Sequence, residues 1–382
     1  MRLSCTLGLA CVAVLSACSP RVPVDQESWD PRTAAQYLDS RMNWWIGWPH
    51  AARDHGTFCV SCHTVLPYAL ARPALQRALG EAAPAPAEVK LLENVSSRVQ
   101  AWNQASPFYD DQHSGSDKTR QSRGTESVLN ALILSSTGAR AGRVSPATQA
   151  ALDIMWAQQR TDGPDRGAWD WLNFGLRPWE AADSRYYGAT LAALAVGYAP
   201  AVYRSDPAVR DHLQRLREYL DRESASQSLE HRLLLLWASM KLPGLLDQTQ
   251  QQSIATEVLD AQRSDGGWSL APLARRHWRV FGLFPAQSDG YATGLATFVL
   301  EQISTPRARA AAAIGRAWLR QNQQIPRGQW VARSLNKRRD LSTPVGLFMS
   351  DAATAYAVLA LTTTPQSSAS QTQAAVSNAL VR

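Results

Sequence analysis

Three stretches in the second half of the chain are apolar on every side: Y-Y-G-A-T-L-A-A-L-A-V-G (186–197), Y-A-T-G-L-A-T-F-V-L (291–300) and A-A-T-A-Y-A-V-L-A-L (352–361). A helix without a polar stripe has to be buried all round. T-E-S-V-L-N-A-L-I-L (125–134) and H-R-L-L-L-L-W-A-S-M (231–240) share that character. Between them run amphipathic segments such as P-A-V-R-D-H-L-Q-R-L-R-E-Y-L (207–220), whose helical period marks them for an outer layer. No stretch alternates with period two for long enough to be a central strand. A spacing of about 50–60 residues, one helical hairpin each, is that of a repeat architecture. The pattern predicts an all-α fold: an α/α toroid, an inner ring of buried helices inside an outer ring.

The punctuation repeats too. Segments beginning at Trp156, Asp260 and Trp318 each carry a helix end, a Gln (Gln159, Gln262, Gln321) and a Gly-x-Trp or Gly-Gly-Trp (Trp169, Trp268, Trp330). Each is followed by Gly-Leu (Gly175-Leu176, Gly282-Leu283, Gly346-Leu347) and an Asp at a helix start (Asp183, Asp289, Asp351), expected to cap it. Over roughly residues 90–365 these elements resemble the QW repeats of squalene–hopene cyclases, in a terpenoid cyclase/prenyltransferase superfamily that also holds thioester-containing complement-like domains. The resemblance implies a toroid braced by Gln and Trp contacts, with Gln262 and Trp268 structural. It also implies an acid that protonates an alkene, in the family an Asp-rich D-x-D-D, which is absent from this sequence. Asp183, Asp289 and Asp351 are the nearest catalytic candidates. Tyr186, Tyr187, Tyr291 and Tyr356, at the inner-helix starts, suit an aromatic cavity or a filled core. The toroid region has no Cys, which excludes zinc-thiolate prenyl transfer and thioester chemistry.

The N-terminus carries different signals. Arg2, an apolar run Leu3–Leu15 and L-S-A-C have the form of an export signal, too short to span a bilayer. L-S-A-C resembles the lipobox of bacterial lipoproteins. That implies a signal peptide over 1–17, lipidation of Cys18, a tether over 18–32 and, with Ser19 rather than Asp after the Cys, the periplasmic side of the outer membrane. An ordinary signal peptide is the other reading. Cys59 and Cys62 then remain as the only thiols of an exported chain, and with His63 they form C-x-x-C-H. That spacing lets two thiols add to the vinyl groups of a haem, with the adjacent His as axial iron ligand. The rivals are a Cys59–Cys62 disulfide beside a bystander His63, or a thioredoxin-like redox pair, which lacks its βαβ context. Met42, His50 and His55 are sixth-ligand candidates near the motif, and His113 and Met349 are more distant ones. A five-coordinate iron is a further possibility.

Composition adds little beyond this. With 45% hydrophobic and 19% charged residues the chain is globular, and a formal charge of +7 is modest. Fourteen Trp fit either packing or a flat-ligand pocket. Two loops in equivalent repeat positions, with Arg275, Arg276 and Arg279 and with Lys337, Arg338 and Arg339, are expected to share one basic rim facing an acidic redox partner, an anionic head, lipid phosphates or solvent. The expected organisation is a haem-attachment segment over 33–88, the toroid over 89–365 and a disordered tail over 366–382. The expected function is electron transfer or redox conversion of an apolar, isoprenoid-like ligand by a mono-haem c-type lipoprotein. A periplasmic redox partner is expected and nucleic acid is not. A terpenoid-cyclase-type isomerase with an auxiliary haem segment, or a non-catalytic binding toroid, are the alternatives.

Overall fold

A computed structural model describes residues 29–139, 144–274 and 287–363. The lipidation residue Cys18, most of the 18–32 tether, the 366–382 tail and Arg275, Arg276 and Arg279 lie outside those residues. The longer helices among the described residues form six consecutive pairs: α1 (Pro31–Gly47) and α2 (Val65–Leu79), α3 (Pro86–Gln100) and α4 (Lys118–Gly138), α5 (Pro146–Ala157) and α6 (Ser184–Tyr198), α7 (Pro207–Ser224) and α8 (Leu229–Lys241), α9 (Gln248–Asp260) and α10 (Gly290–Leu300), α11 (Pro306–Gln321) and α12 (Phe348–Thr362). The even-numbered helices form the inner ring, α2 packing on α4, α4 on α6, α6 on α8, α8 on α10, α10 on α12 and α12 back on α2. The ring is closed, and the fold is the predicted all-α toroid. Residues 33–88 supply its first hairpin.

Local sequence explains the two layers. Outer helices begin with a proline behind a capping residue: Asp30-Pro31, Ser145-Pro146, Asp206-Pro207 and Thr305-Pro306, each cap accepting an amide of the first turn. α9 uses a capping box instead, Asp247 with Gln250. Inner helices are buried on all faces; every residue of α10 is. α12 with the short turn before it is long and apolar enough to cross a membrane, but it is the core helix on which α2 and α10 pack.

The Gln–Trp elements clamp neighbouring pairs together. Gln262 Nε2 donates to the carbonyls of Gly266 (2.9 Å) and of Ala311 in α11 (3.0 Å). Gln159 does the same to Gly167 (3.1 Å) and to His212 in α7 (3.0 Å). In the third repeat the partner is Gln323, not Gln321. Gln323 donates to Gly328 (3.1 Å) and to Asp30 at the start of α1 (2.9 Å), and accepts from the Asp30 amide (2.7 Å). Gln321 is the last residue of α11 and points to solvent, so the turn that follows has to supply the amide. This third clamp closes the ring. The Trp indoles donate back to helix carbonyls, Trp169 to Met155, Trp268 to Val258 and Trp330 to Leu319. Gly328 has φ +76° and leaves no room for a Cβ against the Thr33 carbonyl, which is why a glycine stands two residues before the Trp.

Candidate functional site

The C-x-x-C-H lies in the turn that leads into α2. The segment before it is pinned by Asn94 of α3, whose side chain accepts from the Phe58 amide (2.7 Å) and donates to the Phe58 carbonyl (3.1 Å). Trp45 of α1 donates its indole N–H to the Cys59 carbonyl (2.7 Å). Ser61 Oγ accepts the amides of Thr64 and Val65, capping α2 with a residue from within the motif.

His63 sits in an aromatic cage. Phe348, the first residue of α12, stacks on its ring at 3.9 Å, Trp45 meets it edge-on at 5.2 Å, and Trp179 stands 6.2 Å away. Its Nδ1 is 2.9 Å from Thr64 Oγ1. Nε2 takes no hydrogen bond from the described residues. Burial, with the charges of Arg41 and Arg339, pushes the imidazole down to about 3, so it is neutral over the working pH range. These residues face a cleft of about 350 Å³, lined also by Trp48, Tyr109, Glu180, Asn336, Arg339 and Met349. Glu180 makes no ion pair among the described residues, and burial pushes its carboxyl up to about 7.

Both cysteines are free and buried, and burial pushes Cys59 up to about 12 and Cys62 well above the usual thiol range. Such thiols stay protonated, which argues against a redox-active pair of the thioredoxin kind. They stand just behind the cleft lining, close enough for the charge of Glu180 to act on both.

Behind the motif lies a buried acid–base network. Asp351 accepts from Arg41 Nε (2.6 Å) and Nη2 (2.9 Å), from Tyr37 Oη (2.8 Å) and from Thr64 Oγ1 (2.7 Å). Burial raises its carboxyl, and the Arg41 guanidinium opposes that rise and holds the anion. Asp351 is therefore no N-cap; it lies within the first turn of α12. Asp183 does not cap α6 either, but pairs with Arg177 at 2.6 Å near the cleft mouth. Asp289 does cap, accepting from Ala292 (2.9 Å) and from Leu270 (2.6 Å), and burial pushes it up to about 6. The helix-start pattern is the same in all three, but only at Asp289 does the chain enter the helix with the extended dihedrals a cap needs.

Of the proposed sixth ligands, Met42 is buried within α1, while His50 and His55 are exposed beside Trp48 and Asp54. His113 is exposed and pairs with Asp110. Met349 lines the cleft that His63 faces. Among the described residues no three His, Cys, Asp or Glu side chains gather into a metal cluster. Tyr186, Tyr187, Tyr291 and Tyr356 are buried, Tyr291 donating to the inner carboxylate of Glu230 at 2.8 Å, so they fill the core. Lys337 and Arg338 are exposed and Arg339 borders the cleft. Arg41, Thr64, Trp179, Glu180 and Phe348 were not singled out in the sequence. Only Thr64, adjoining the motif, carried a local signal.

No protein-family description and no curated protein sequence matches this chain. Among solved structures it is similar to a glycosidase variant, at 12% identity and a TM-score of 0.49 over 87% of this chain and 97% of that one. A glycosidase variant in complex with glucose shares 13% identity, with a TM-score of 0.47 over 87% and 97%. The apo form of the type II terpene cyclase MstE from Scytonema shares 13% identity, with a TM-score of 0.46 over 87% and 98%.

Proposed function

We propose that the chain is an exported, lipid-anchored mono-haem protein in which haem c occupies the aromatic cleft, for electron transfer or redox conversion of an apolar ligand. The observation that carries the reading is His63: a neutral imidazole held by aromatic rings, engaged at Nδ1, unengaged at Nε2, and facing a cleft beside two cysteines at haem-attachment spacing. The residues suit the group. A haem brings four equatorial ligands of its own, so a single protein nitrogen suffices where no ligand cluster exists. Cys59 and Cys62 would hold it by thioether bonds, and His63 would bind the iron, supplying a one-electron couple.

The chain's own groups have definable tasks. Trp45, Trp48, Trp179 and Phe348 give the cleft around His63 an apolar, aromatic wall suited to a flat ligand. Arg339 would offer a cation to a ligand carboxylate at the mouth, where Arg177 is already paired with Asp183. Glu180 holds or releases a proton near neutrality at the same wall. Met349 lines the same cleft and would offer a thioether to a metal bound there. Anchoring through Cys18 on the periplasmic face of the outer membrane, and an acidic redox partner, belong to the same proposal.

A second reading, a terpenoid-cyclase-type isomerase, has one observation of its own. Asp289, with its raised carboxyl, lines a separate cavity of about 240 Å³ with Leu270, Trp318 and Leu335. Both its oxygens accept backbone amides, which favours the anion over a proton donor. Cyclase activity that survives in Asp289→Asn removes that nominee.

The deciding experiment is a pyridine haemochrome spectrum on protein matured in a periplasm equipped for haem attachment, with Cys62→Ser beside it. The expected result is a c-type spectrum lost in the variant. Protein without haem would overturn the reading.

A further inference from the structure

The hydrogen-bond chain from α12 to the imidazole has a direction. Asp351 carries a guanidinium across both oxygens and a phenol on Oδ1, so it is an anion that only accepts. The Thr64 hydroxyl, 2.7 Å from Oδ2, therefore donates to it. A hydroxyl has one proton, and once that proton is committed its oxygen can only accept. The 2.9 Å contact with His63 is then Nδ1–H to Oγ1. With the proton on Nδ1, the lone pair of the neutral ring is on Nε2. The Phe348 ring stacked at 3.9 Å comes from the same helix as Asp351, so α12 sets both the plane of the imidazole and its tautomer.

We propose that Thr64 and Asp351 are positioning residues for the metal ligand. They fix Nε2 as the ligating atom and make it a stronger electron donor, so that an inner helix of the toroid sets the potential of the iron. The inference rests on the haem reading above. An N–H donated toward a carboxylate, directly or through one hydroxyl, gives the ring part of the character of an imidazolate. A more basic ligand favours the oxidised iron, so the relay lowers the reduction potential.

The test is a potentiometric titration of haem-loaded wild type, Thr64→Val and Thr64→Ser, each first checked for covalent haem on a denaturing gel. Valine keeps the shape of threonine and removes the hydroxyl; serine restores the hydroxyl. The expected result is covalent haem in all three, a higher midpoint potential in Thr64→Val and a return toward wild type in Thr64→Ser. Tyr37→Phe provides a second arm that leaves the Thr64–His63 contact in place. It removes one donor from Asp351, leaves more of its charge for Thr64, and is expected to lower the potential. Covalent haem with unchanged potentials in Thr64→Val and Tyr37→Phe would overturn the relay and leave the haem reading standing. Wild type without covalent haem would overturn both.

Discussion

Glu180 gives the sharpest quantitative prediction, because its carboxyl is held near 7 against an ordinary value of 4.5. The cause is burial, opposed only by Lys118. The folded state therefore keeps its proton through a range where the unfolded chain has lost it. In that window the unfolded state binds fewer protons, so this group's contribution to stability falls as pH rises from about 4.5 to about 7, then levels off. At about 1.4 kcal/mol for each tenfold change in proton affinity, the ceiling is about 3 kcal/mol. The cleft opens to solvent, which screens the charge and reduces the expected effect to about 1–2 kcal/mol. Glu180→Gln imitates the protonated form and cannot ionise. Urea unfolding followed by tryptophan fluorescence should give nearly equal stabilities at pH 5 and a more stable variant at pH 8. Asp289 and Glu301 also titrate from raised positions, at about 6 and about 7, but they are common to both proteins and cancel in the difference. Parallel pH profiles for wild type and variant would refute the reasoning.

Arg41→Met leaves the Asp351 anion buried with only two donors and should cost about 3–5 kcal/mol in chemical denaturation, most of it recovered in the Arg41→Met/Asp351→Leu double variant. Gln323→Ala removes a clamp of four hydrogen bonds and should lower stability by about 1–3 kcal/mol, while Gln321→Ala, two residues earlier, should leave the melting temperature within error. In Gly124→Ala the new Cβ would stand 2.1 Å from the Asp170 carbonyl oxygen; α4 has to shift, at a cost of about 3 kcal/mol read by the same unfolding assay.

Burial on all faces leaves a mark that needs no partner to be seen. The five inner helices with that mark, α4, α6, α8, α10 and α12, were therefore legible from apolar runs alone. α2 completes the ring without it: Pro67, Arg72 and Pro73 interrupt its run, and Arg72 is buried only because Asp39 and Glu81 meet it. The clamp Gln of the third repeat was misplaced by two residues because the turn between Gln and Gly differs in length from repeat to repeat, and hydrogen bonds rather than spacing define the role. At the site, Cys59, Cys62 and His63 were legible because their chemistry is local. Of the cage, Trp45 was within reach of sequence reasoning because it lies close before the motif, whereas Trp179 and Phe348 come from distant parts of the chain. Asp351 read as a cap, because its partners Tyr37 and Arg41 lie 314 and 310 residues away.

That separation ties the two ends of the chain together. The first hairpin cannot complete its buried network until α12 has reached its place, because Arg41 and Thr64 pair with Asp351. Contacts of such span carry a large loop-closure cost and slow folding. The finished ring leaves Cys59 and Cys62 only 5% and 2% exposed. A group to be joined to these sulfurs would have to reach them before the ring closes over them. A chain truncated before residue 348 should leave both thiols open to an alkylating reagent, and the full-length chain should shield them.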